Sequence, residues 1–122
     1  MTYDFQDGNG PVAAHQHPNG GGWVADTASV EPTAYVGLNA KVYGNASVFG
    51  HANVFGNARV SGYAMVSGNA SVFGNAIVFG NASVFGNAEV SERALVSGNA
   101  KVSGRALVSG RARVFGNAMV CD

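Results

Sequence analysis

The sequence predicts an all-β chain built as a solenoid of short parallel strands, and three observations carry the prediction. A valine recurs at every sixth position from Val24 to Val120 without exception. Between these seventeen valines lie sixteen hexads, and the fifth residue of every one is alanine, from Ala28 through Ala58 and Ala88 to Ala118. Eight of the sixteen units place a Gly-Asn pair just before that alanine, as in Val72-Phe73-Gly74-Asn75-Ala76-Ile77. A fixed period sets the architecture before any single residue is weighed.

A period of six excludes helix, because glycine or another turn former would interrupt it every second turn. Across each repeat junction the chain reads Ala-x-Val-x. Alanine and valine therefore point one way, and the residues on either side of valine point the other. Each hexad is one short strand and one corner. Glycine accepts positive φ at the corner, and asparagine tolerates the left-handed region better than most side chains. Stacked strands then pair in parallel and bury columns of valine and alanine.

On these residues the unit resembles the hexapeptide repeat of left-handed parallel β-helices: an aliphatic residue, two or three variable positions, then a small residue. The resemblance covers residues 24–120. It implies a single left-handed parallel β-helix, a triangular solenoid with eighteen residues per coil and a little over five coils, roughly 25 Å long at about 4.8 Å per strand spacing. Many activities share this scaffold, so the resemblance speaks to fold and little to function.

Residues 1–23 fall outside the period and are read as a leader or N-terminal cap, with residues 24–122 as the repeat solenoid. Gly8-Asn9-Gly10-Pro11 and His17-Pro18-Asn19-Gly20-Gly21-Gly22 are dense turn signals. A solenoid exposes strand edges and apolar columns at its ends, and Tyr3, Phe5 and Val12 are expected to fold over the first coil and blunt it. Gly21-Gly22-Trp23-Val24 leads into the first strand, and this lead-in resembles that of hexapeptide proteins labelled transferases, some of them phage-encoded. The first coil is irregular, with Asp26, Pro32 and Leu38 where later units carry glycine. Pro32 removes an amide donor, which a corner or terminal coil tolerates.

From Val42 to Ala88 the units are nearly uniform, and Asn45, Tyr63, Asn81, Asn99 and Asn117 fall in one corner column, expected to satisfy turn backbone through an amide ladder. After Ala88, Glu92-Arg93, Gly104-Arg105 and Gly110-Arg111 replace Gly-Asn, and Arg93 and Arg111 share a column, read as a solvated basic edge, with a site for an anion or an acidic partner as the alternative.

Composition narrows the function classes. Charged residues make up 11% of the chain and the formal net charge is zero, which gives bulk electrostatics no hold on nucleic acid or anionic membrane. The charge is uneven: residues 1–40 carry four acids and no Lys or Arg, and residues 41–122 carry seven basic and three acidic groups. Cys121 is the single cysteine, so no internal disulfide forms. The first residues lack a secretory pattern and no run is long enough to span a membrane, so cytoplasmic location is the default, in a cell or a phage-infected host.

The outward positions carry Phe49, Phe55, Phe73, Phe79, Phe85 and Phe115, with Met65, Ile77, Leu95, Leu107 and Met119. Folding by eighteen puts Ile77, Phe79, Leu95 and Phe115 on one face, Phe49, Met65, Phe85 and Met119 on a second, and Phe55, Phe73 and Leu107 on a third. Apolar patches of that extent mark contact surfaces. With Val120 at the open last coil, these phenylalanines, Ile77, Leu95 and Met119 are the candidate self-association residues.

The chemistry-bearing residues are few. Hexapeptide acyltransferases, which the repeat resembles, use a histidine base and bind acyl-coenzyme A between subunits, commonly with an extruded loop. This chain inserts no loop, and His51, at a corner, is the one histidine within the repeats and the catalytic candidate. The related carbonic anhydrase class takes three interface histidines for zinc. His15, His17 and His51 do not match it, and His15 and His17 alone make too few ligands. Ice binding needs a regular outward threonine array that is missing, while exposed aromatics leave a carbohydrate or protein partner open.

The sequence therefore reads as a non-catalytic structural or assembly solenoid without cofactor or metal, its partner itself, as a homotrimer or an end-to-end filament. The alternative is a trimeric acyltransferase-like enzyme, acyl-coenzyme A dependent, with a site between subunits.

Overall fold

The computed structural model describes residues 1–121, which form nineteen strands and, among the described residues, no helix. Two strands precede the repeats, β1 (Thr2–Asp4) and β2 (Pro11–Gln16), and β3 (Trp23–Ala25) begins the first coil. Sixteen two-residue strands follow, and each ends on one of the periodic valines. They sort into three sheets, the sides of a triangular section.

The first sheet holds eight strands in the order β1, β2, β3, β6 (Lys41–Val42), β9 (Arg59–Val60), β12 (Ile77–Val78), β15 (Leu95–Val96) and β18 (Arg113–Val114). The second holds six: β4 (Ser29–Val30), β7 (Ser47–Val48), β10 (Met65–Val66), β13 (Ser83–Val84), β16 (Lys101–Val102) and β19 (Met119–Val120). The third holds five: β5 (Tyr35–Val36), β8 (Asn53–Val54), β11 (Ser71–Val72), β14 (Glu89–Val90) and β17 (Leu107–Val108). Within the repeats all pairing is parallel, and each partner lies eighteen residues away, as in Val66 with Val84 and Val78 with Val96. The chain is a parallel β-solenoid of about five turns with about 18 residues per coil.

Valine and alanine fill the interior. From Ala34 to Val102 every periodic valine and alanine has no solvent exposure. Fully burying one valine contributes roughly 1.5–3 kcal/mol, and the two-residue strands gain their stability from this column and from pairing on both edges.

The corners are held by backbone. Corner glycines such as Gly62, at φ 66°, sit in the left-handed region. From Asn45 to Asn99 the residue after each corner position donates its backbone N–H to the corner carbonyl of the next coil, for example Asn45 N to Gly62 O, Asn75 N to Glu92 O and Asn81 N to Gly98 O, all at 2.7 Å. The expected amide ladder is thus replaced by a ladder of main-chain bonds, and the asparagine side chains are exposed. Tyr63 and Arg93 stand in the same position and donate equally well, each at 2.8 Å.

Residues 1–22 add a hairpin and a loop to the first coil. β1 and β2 pair antiparallel, and β2 pairs antiparallel with the outer edge of β3. Tyr3, Phe5 and Val12 do not lie over the apolar column as the sequence suggested. They pack on the outward side of the first sheet, where buried Phe5, Ala14 and Ala25 form a second small core with Trp23 and Tyr43. The physical reason is that Ala25 is small and faces out, which leaves a seat for Phe5 between the hairpin and Tyr43. Tyr3 stacks on Trp23 at 4.7 Å and Phe5 on Tyr43 at 4.9 Å. The loop that follows occupies the outer edge of β5: Val36 N donates to Asn19 O at 3.0 Å and Gly22 N to Val36 O at 2.9 Å.

Candidate functional site

The solenoid lifts every second strand residue into solvent, so the candidate surface is a set of outward columns with a step of one coil. On the first sheet Ile77 and Leu95 adjoin in register and are half-buried, while Phe79 and Phe115 flank the small Ser97. A notch of about 350 Å³ lies between them, lined by Phe79, Leu95, Ser97, Arg113 and Phe115. On the second sheet Phe49, Met65, Phe85 and Met119 protrude among serines. On the third, Phe55 and Phe73 stack at 4.8 Å with ring planes 2° apart.

The structure therefore distributes the candidate phenylalanines over three faces. Phe49, Phe55, Phe79 and Phe85 are 37–39% exposed, Phe115 65% and Met119 71%. Phe73 is half-buried beneath its stack, and Val120 faces inward and packs against the end of the core.

Corner chemistry is concentrated in one place. A groove of about 420 Å³ is lined by Gly74, Asn75, Glu92, Arg93, Gly110 and Arg111. Glu92 takes the glycine corner position at φ 58°, and its Oε1 accepts the Gly110 N–H at 2.7 Å. The carboxylate that replaces a glycine thus serves the amide of the next coil, between two guanidinium-bearing corners. At the other end Glu31, one position earlier in its hexad, accepts the Gly50 N–H at 2.8 Å.

The histidines go separate ways. His51 is exposed at a corner, where its backbone N–H bonds Gly68 O at 2.9 Å. His15 Nδ1 meets Asp26 Oδ1 at 2.7 Å on the surface, whereas buried His17 bonds Ala34 O through Nε2 at 2.8 Å. His15 and His17 therefore do not converge on a shared point. His17 instead anchors the loop over the first coil. Trp23, Tyr43 and Lys41, whose Nζ lies 6.0 Å from the Tyr3 ring, complete an aromatic site that sequence reading missed. Folding the sequence by eighteen sets Tyr43 below Ala25, and that large residue beneath a small one is the signal that would have found it.

Fold and surface together define a parallel β-solenoid whose chemistry lies in outward columns. Among known families, the model described as YdcK beta solenoid repeat matches residues 52–68, just short of one coil. No curated protein and no solved structure matches the chain. Among the described residues no helix is long and apolar enough to cross a membrane.

Proposed function

We propose that this chain is a structural solenoid that associates with copies of itself side by side, through its outward sheet faces. The carrying observation is the set of exposed phenylalanines on the three faces, Phe49, Phe55, Phe79, Phe85 and Phe115, projecting from register-locked strands. A fixed backbone lowers the ordering cost of association, and apolar side chains on it supply the gain. The same side-by-side habit is what the hexad's resemblance to hexapeptide-repeat proteins implies. At the first coil, β2 takes the edge of β3 and the loop over residues 17–22 takes the edge of β5, which favours lateral over axial contact.

Light-scattering mass measured against concentration and salt tests the reading. The expected result is a mass that rises above one chain with concentration and survives high salt, since apolar contact is little screened. A mass of one chain throughout would overturn it.

A further inference from the structure

We infer that the outward face of the six-stranded sheet is the association surface, and that it packs on the same face of a second copy with the solenoid axes antiparallel. The two-fold axis lies along the strands, midway between β10 and β13. This inference rests on the self-association reading and selects one face from three.

Each coil places two outward residues on this face, one on either side of its inward valine. In four consecutive coils they are Ser47 and Phe49, Met65 and Ser67, Ser83 and Phe85, and Lys101 and Ser103. Strand pairing sets Ser47, Met65, Ser83 and Lys101 in one column. The large members are exposed and the serines are half-buried, and Phe49 and Lys101 stand at opposite corners of the pattern. Large and small therefore alternate both along the axis and across it, as a checkerboard of knobs and hollows.

The two-fold turns each column end over end onto its own copy. Phe49 then meets the partner's Ser103, Ser67 meets the partner's Phe85, Ser47 meets the partner's Lys101, and Met65 meets the partner's Ser83. The coils on either side obey the same rule, since Ser29 meets the partner's Met119 and Glu31 meets the partner's Cys121. At every position a large side chain faces a small one.

The hollows have the right size for a ring. Phe49 and Phe85 are two coils apart, about 9.6 Å at about 4.8 Å per strand spacing. Phe55 and Phe73 show that phenylalanines one coil apart stack at 4.8 Å in parallel planes. The partner's Phe85, seated over Ser67, takes the missing step between Phe49 and Phe85 and continues such a stack across the interface.

Charge selects the antiparallel sense. Glu31 and Lys101 are the outward charged residues of this face, near opposite ends of it. The antiparallel two-fold brings Glu31 within one coil of the partner's Lys101, whereas parallel axes would set each level with its own like charge. The other faces fail the same operation. The eight-stranded sheet carries Lys41, Arg59 and Arg113 with no outward acid in its repeat strands, and reversal sets Arg59 on Ile77. Reversal of the five-stranded sheet about its middle strand sets Phe73 on Phe73. The six-stranded face spans about 24 Å by about 17 Å, on the order of 400 Å² per copy, about half the footprint of a standard stable interface and in the range of transient contacts, so the dimer forms and dissociates with concentration.

Sedimentation equilibrium of the full chain tests this with Ser67→Phe, which fills a hollow while adding apolar surface. Slot filling predicts that association weakens on the order of tenfold or more, whereas general stickiness would strengthen it. Ser71→Phe puts the same ring on the five-stranded sheet and leaves association unchanged. Circular dichroism verifies the fold, and if Ser67→Phe misfolds, Ser83→Phe, facing the partner's Met65, asks the same question. Lys101→Glu weakens the dimer, and Glu31→Gln in the same chain, which keeps an oxygen for the Gly50 N–H and removes the like charge, restores it in part. Undiminished association of Ser67→Phe, absence of that rescue, or a three-chain mass overturns this face and geometry while leaving self-association standing. A wild-type monomer at all concentrations overturns both.

Discussion

At Gly62 the backbone sits at φ 66°, and a Cβ there would lie 2.9 Å from the amide nitrogen of Gly80 in the next coil. Alanine at this position meets both the left-handed penalty of about 1–2 kcal/mol and that contact. Gly62→Ala is therefore expected to lower stability by about 2 kcal/mol or more, read by chemical denaturation. Glu92 holds the same conformation with a side chain, and its carboxylate bond to the Gly110 N–H offsets the strain. Glu92→Gly loses a bond but relieves the backbone, while Glu92→Ala loses the bond and keeps the strain. Glu92→Ala is expected to be the less stable of the two by about 1 kcal/mol in the same assay, and the reverse order would refute this account. The corner asparagines were legible as turn formers. Their replaceability by Tyr63 and Arg93 was not, because the bond between coils belongs to the main chain and any residue with an N–H can make it.

Among the elements, the paired strands β1 and β2 stand apart from the repeats. They are attached by one antiparallel edge to β3 and by the aromatic cluster around Phe5. Such a unit opens independently of the solenoid. Phe5→Ala is expected to abolish hydrogen-exchange protection in residues 2–16 while leaving the amides of β9 to β14 as protected as before. Uniform loss along the chain would show instead that the hairpin and coils form one cooperative unit. This hairpin was illegible for a physical reason. Its turn signals were visible and the eighteen-residue step shows the seat at Ala25 above Tyr43, but the residues that fill it, Tyr3 and Phe5 against Trp23 and Tyr43, lie outside the repeat and follow no period. The repeat strands were legible in place, since each is marked by an inward valine, although they span two residues and not the whole Ala-x-Val-x stretch.

For the whole molecule, the inward pattern repeats every six residues, and an outward position returns to the same side every eighteen. The core was read directly from the shorter period, and the assignment of phenylalanines to faces from the longer one. What the sequence could not display without folding was relief: Ser67 looks like any other serine until Phe49 and Phe85 stand on either side of it. The two periods also give the rod two nested reading frames. A six-residue insertion within the uniform region, one more Val-Phe-Gly-Asn-Ala-Ser, keeps every valine and alanine inside, so the interior does not register the change. Every outward residue beyond it moves to the next side of the triangle, and the checkerboard is cut in two. The same lengthening by eighteen leaves each residue on its side and only moves the parts of the pattern one coil apart. Such a hexad variant should melt close to wild type yet lose its self-association, so the repeat length that makes the fold tolerant of duplication makes its surface sensitive to it. Equal self-association in both would mean that the outward frame carries no information.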